Sequence, residues 1–211
     1  MKRILAVVSV LVSMAGVADE NQLPSVDMAA LRVNVTNWCI RASRSEQVWE
    51  AGRKMKAYYG LGDPEMTALL SGCMALFDGR TDYQQSYYHL YGLMQRTCGT
   101  NAAPVLAGIV RQNRDSTNVR LAYSAYCASL SMSAECFSLG CEVLDSDQYD
   151  VAVRREVFAQ VARWRRLGEL SEDGGLISRC NSFYSERASK DADFRTFVGF
   201  WRWPGQEGGQ E

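Results

Sequence analysis

The sequence predicts an all-α fold, a solenoid of about five antiparallel helical hairpins, on three observations. Helix start and stop signals follow one another along the chain while strand signals are scarce. The intervening turns are short. Taken in pairs, the first helices start near residues 26, 63, 101, 133 and 172, at intervals of 37, 38, 32 and 39. A near-constant period in this range is the mark of stacked hairpins, each too small to bury its apolar face alone.

The elements follow in order. Ser25 is placed to cap a helix whose inward positions are Met28, Leu31, Val35, Trp38 and Ala42. Ser43 and Glu46 form a capping box before a helix with Val48, Trp49, Met55 and Tyr59, stopped by Gly60. Asp63-Pro64 opens a third, lined by Met66, Leu69, Leu70, Cys73, Met74 and Phe77. Asp82 starts a fourth, closed by Gly99. Then come helices after Asn101, after Asp115 or Ser116, after Ser133 and from about Asp147 to Leu167. Two more begin at Ser171–Asp173 and Asp191–Asp193, and Pro204 ends the last.

Composition allows this fold and excludes others. The 211 residues are 47% hydrophobic and 22% charged, enough for a core and against wholesale disorder. Met1 to Ala18 reads as a secretory signal peptide: Lys2-Arg3, an apolar run from Ile4 to Val12, then Gly16-Val17-Ala18. That run falls short of the roughly 20 residues of a spanning helix. With Lys2 and Arg3 removed, the 23 basic residues become 21 against 24 acidic ones, so nothing draws the chain to nucleic acid. The expected organisation is 1–18 signal peptide, 19–203 helical repeat domain and 204–211 disordered polar tail. The signal is of bacterial type, which places the mature protein in the periplasm or outside the cell, with no membrane span and a possible envelope association.

Residues 103–167 resemble HEAT repeats. Ala103-Pro104-Val105-Leu106, Ile109-Val110, Asp115 and Val119-Arg120 carry the pattern, and Val143-Leu144, Asp147 and Val153-Arg154 repeat it more faintly. The resemblance implies a curved α–α superhelix that binds proteins or peptides and holds no catalytic residue. It also implies that Asp115, Arg120, Asp147 and Arg154 link neighbouring repeats.

No motif supplies chemistry. The chain lacks a nucleophile elbow, a phosphate loop, an H-E-x-x-H pair and a dinucleotide fingerprint, so no cofactor or metal is expected. His89 is the single histidine and has no partner motif. The acid pairs Glu172-Asp173 and Asp191/Asp193 suit helix starts, and Arg154, Arg155, Arg163, Arg165 and Arg166 suit a solvated face. The expected binding cluster is Tyr87, Tyr88, His89 and Tyr91, in an aromatic turn of the fourth helix.

Export would let disulfides persist. Of seven cysteines, Cys127 with Cys136 and Cys141 with Cys180 are the bridge candidates. The first pair flanks a helical turn, and the second holds equivalent places in successive hairpins. Cys39, Cys73 and Cys98 are expected as buried thiols. The expected function is an exported, non-catalytic helical-repeat protein that binds another protein or peptide. The alternatives are a secreted enzyme on a helical scaffold, with His89 or an acid pair as base, and a carbohydrate- or envelope-binding module using the tyrosines.

Overall fold

The computed structural model describes residues 25–74, 76–77, 84–112, 115–131, 134–167 and 174–188, together with Lys190, Ala192 and Phe194. The expected signal (1–18), the tail (204–211) and all of the last helix except Ala192 and Phe194 lie outside the described residues. So do the starts expected at Asp82, Ser133 and Ser171–Asp173. Among the described residues the protein is helical, with no strand. The order is α1 (Met28–Arg41), α2 (Ser45–Tyr59), α3 (Asp63–Met74), α4 (Gln84–Cys98), a 3-10 turn (Gly99–Ala102), α5 (Ala103–Gln112), α6 (Ser116–Ser129), α7 (Ala134–Asp145), α8 (Val151–Leu167) and α9 (Gly174–Ala188).

Local chemistry explains most helix ends. Asp115 has extended backbone and accepts from the Asn118 amide at 2.7 Å, the expected cap of α6. Gly60, with φ 62°, ends α2 in the left-handed region, and the Leu61 amide reaches back to the Lys56 carbonyl at 3.0 Å. That closure is a Schellman turn, with the apolar Leu61 buried beneath it. Elsewhere the cap moves. Asp27, rather than Ser25, accepts from the Ala29 and Ala30 amides at 3.0 Å. Asp150, rather than Asp147, caps α8, through the Ala152 amide at 2.6 Å.

The Ser43–Glu46 capping box does not form. Helix α2 begins one residue later than that box requires, at Ser45, behind Arg44, which makes no side-chain cap. Ser45 is buried against α4, so a tertiary contact sets this start in place of a local one.

Helices α2, α4, α6 and α8 pack each on the next, α1 packs on α3, and α7 on α9. One continuous core runs between them, from Leu31 and Val35 of α1 to Phe183 of α9. Fully burying each of its large apolar side chains contributes about 1.5–3 kcal/mol before conformational entropy is counted. The α2–α4 contact is close because two glycines face it. A Cβ on Gly52 would stand 2.4 Å from Leu93 Cδ1, and one on Gly92 would stand 2.8 Å from Trp49 Nε1.

Arg154 departs from the solvated face expected of it. Its guanidinium is buried, donates to the Leu144 carbonyl at 3.0 Å, meets Asp147 at 3.4 Å and lies over the Phe183 ring. A long side chain with an apolar stem and five donors suits a helix junction where a bare carbonyl end must be satisfied.

Candidate functional site

The expected tyrosine–histidine cluster divides between core and surface. Tyr87 is buried edge-on to Phe77, with ring centroids 5.3 Å apart. Tyr91 is buried and donates its hydroxyl to Asn118 on α6. His89 is fully buried, with Nδ1 2.9 Å from Ser45 Oγ and Nε2 3.3 Å from the Gln85 amide nitrogen. Only Tyr88, 48% exposed, offers its ring to solvent. A helix turn of five residues passes through every face, so an aromatic run on it cannot all point one way.

Both ring nitrogens of His89 are engaged, Nδ1 by the Ser45 hydroxyl at the start of α2 and Nε2 by the Gln85 side chain one turn earlier on α4. Burial holds the imidazole below its ordinary pKa, against smaller opposing pulls from the Ala42 backbone and Glu46. The Ser45–His89 pair thus pins the α1–α2 corner to α4.

An open cleft of about 500 Å³ lies where the C-terminal halves of α2 and α4 meet. Arg53, Lys56, Ala57 and Gly60 supply one wall, at the i, i+3, i+4, i+7 spacing of one helix face. Leu61 sits at its end, and Arg96 and Thr97 of α4 form the other wall. The close approach at Gly52 and Gly92 brings the two walls together.

The three cations of the cleft differ in what holds them. Lys56 is committed to structure: its ammonium meets the Asp63 carboxylate and donates to the Thr97 carbonyl at 2.5 Å, which ties α2, α3 and α4. Arg53 pairs with Glu50 at 2.5 Å on an exposed helix surface, where such a pair contributes little and exchanges readily. Arg96 stacks its guanidinium 3.9 Å from the centroid of the Trp49 ring and, among the described residues, has no carboxylate partner. The stack orients the guanidinium and leaves its edge donors available. The arrangement can bind carboxylates.

This cleft was not singled out from the sequence; the basic run Arg53-Lys54-Met55-Lys56 was the one signal available for it. Its convergence with Arg96, 40 residues on, had no sequence signal. No group of three or more His, Cys, Asp or Glu side chains among the described residues could hold a metal ion. No described helix is long and apolar enough to cross a membrane.

No disulfide bond joins the expected candidates in the structure. Cys136 Sγ lies 3.7 Å from the Cys127 carbonyl oxygen across the α6–α7 turn. Cys180 is buried within the field of Tyr123, which faces Cys127 and Cys136, and Cys141 is half-buried on α7.

Fold and cleft define an all-helical protein with a cationic groove. Compared with protein-family models, curated proteins and solved structures, the chain matches none.

Proposed function

We propose that this chain is an exported, non-catalytic protein of the helical-repeat type that binds a segment of another protein or peptide. In this reading the α2–α4 cleft receives an acidic stretch of the partner. The observation that carries it is the convergence of Arg53 and Arg96 from two helices on one open groove, with Lys56 fixing its floor. A guanidinium already oriented on an aromatic ring loses little freedom on binding a carboxylate, and its planar fork donates two parallel hydrogen bonds to the carboxylate oxygens. The packing of α2, α4, α6 and α8, each on the next, supports the hairpin-stack part of the reading.

The test is a titration of the mature chain with a fluorescent glutamate-rich peptide and with its lysine-rich counterpart at low and high salt. The reading expects saturable binding of the acidic peptide alone. The affinity should fall as salt rises, and should fall roughly tenfold or more in Arg53→Glu/Arg96→Glu, which leaves Lys56 and its structural contacts in place. Equal binding of both peptides, or an unchanged affinity in the double variant, overturns it. Retention on glycans in place of the peptide would favour a sugar-binding surface at Tyr88.

A further inference from the structure

The inner side of the α6–α7 turn gathers a second set of reactive side chains. Cys127 lies near the end of α6 and Cys136 near the start of α7, nine residues apart, and both are fully buried. The Cys136 thiol approaches the Cys127 carbonyl to 3.7 Å, and the Cys136 side chain is among the neighbours that raise the Cys127 pKa. Ser131 reverses the chain between them with φ 47°, a left-handed conformation in the turn itself. One helical turn before Cys127, the Tyr123 hydroxyl is sealed beside these sulfurs with no oxygen or nitrogen partner. The surroundings are therefore apolar and rich in sulfur.

We propose that Cys127 and Cys136 form a disulfide across the α6–α7 turn, with Cys180 left as a thiol beside it. The proposal rests on the export reading for the oxidising compartment, and on the approach of the two cysteines across the turn for the choice of pair. The reaction is thiol–disulfide exchange with a disulfide oxidant, either a small-molecule disulfide or the active-site disulfide of an oxidoreductase. One cysteine, as thiolate, attacks a sulfur of the oxidant and expels one thiolate. The second cysteine then attacks the protein sulfur of the mixed disulfide and expels the other. Two protein thiols are oxidised, one oxidant disulfide is reduced to two thiols, and the two protons pass to the leaving thiolates.

Burial sets when this must happen. In the folded chain both sulfurs are closed to an oxidant, and burial pushes the Cys127 thiol well above its ordinary pKa, so the attacking thiolate is scarce. Exchange belongs to the stage when the turn is formed but not yet covered. The two cysteines lie close in sequence, whereas Cys180 arrives only with α9, so the local pair closes first.

The test unfolds and reduces the mature chain, refolds it in a glutathione redox buffer, blocks remaining thiols and maps the peptides without reductant. Cleavage after Met132 or Glu135 separates Cys127 from Cys136. The expected result is a peptide linked Cys127 to Cys136 by fragmentation, Cys180 alkylated, and the same link in Cys180→Ser. The oxidised protein should also gain on the order of a hundredfold in its folding equilibrium over the reduced protein, as expected for closing so short a loop. Alkylation of both Cys127 and Cys136, or a link from either to Cys180, overturns the proposal. Refolding in a defined buffer tests the pair whatever the compartment, and fractionation of the expressing cells tests export separately.

Discussion

His89 Nδ1 stands 2.9 Å from Ser45 Oγ, across 44 residues of sequence. This contact joins the first residue of α2 to the middle of α4 and replaces the local cap that α2 lacks. It also divides two neighbouring residues, since His89 serves the core and Tyr88 faces solvent.

Substitutions at the two positions should therefore differ sharply. His89→Ala leaves a cavity and strips Ser45 of its partner, and should cost about 2–4 kcal/mol. Tyr88→Ala should stay within roughly 0.5 kcal/mol of the parent, as at most exposed positions. Urea unfolding of both variants measures this, and equal losses would show that the ring of Tyr88 is also packed.

The same burial makes stability depend on pH. Because the folded state holds the imidazole below its ordinary value, the unfolded chain takes up a proton first as pH falls. The contribution is complete above the ordinary histidine range and declines as pH drops through it toward the lowered folded value. Glu50 and Glu142, both held below the ordinary carboxylate value by neighbouring cations, add their own losses only at lower pH. The melting temperature should decline between about pH 7 and pH 5, and His89→Gln, which cannot titrate, should flatten that decline. An unchanged slope in the variant would move the effect to other groups.

Glycines on helices α4 and α5 give opposite expectations. A Cβ on Gly92 would meet the rigid Trp49 indole at 2.8–3.0 Å, whereas one on Gly108 would meet nothing within 4 Å. Gly92→Ala should destabilise by about 1–3 kcal/mol through overpacking. Gly108→Ala should stabilise by about 0.5–1 kcal/mol through helix propensity alone. Thermal melts of the pair decide it; a neutral Gly92→Ala would mean that α2 and α4 can separate at little cost.

Arg111 and Glu142 form a bidentate pair, both contacts 2.9 Å, between α5 and α7. Both side chains are about half exposed, so Glu142→Gln should cost no more than about 1 kcal/mol. The loss should shrink at 1 M salt, where screening reaches within about 3 Å. A loss that salt leaves unchanged would indicate that the pair acts by packing.

Much of the helix pattern was legible because its causes are local. Apolar residues at three- and four-residue spacing, Asp115 as a cap and Gly60 as a left-handed stop act through the backbone within one turn. The hairpin starts read near 26, 63, 101, 133 and 172 correspond to helices at Met28, Asp63, Ala103, Ala134 and Gly174. The Ser43–Glu46 box failed because capping competes with tertiary contacts, and the burial of Ser45 against His89 outweighed it.

By itself the sequence determined that the chain is helical, where most of its helices run and which residues are apolar enough to be buried. It also placed Cys127 and Cys136 on either side of one turn. The tertiary structure alone decided that His89 faces inward, that Arg154 is buried and that Arg96 meets Arg53 across a cleft. Those outcomes depend on which face each neighbouring helix covers. That is set by the depth of approach at contacts such as Gly52–Leu93 and Gly92–Trp49, and periodicity along a single helix carries no record of it.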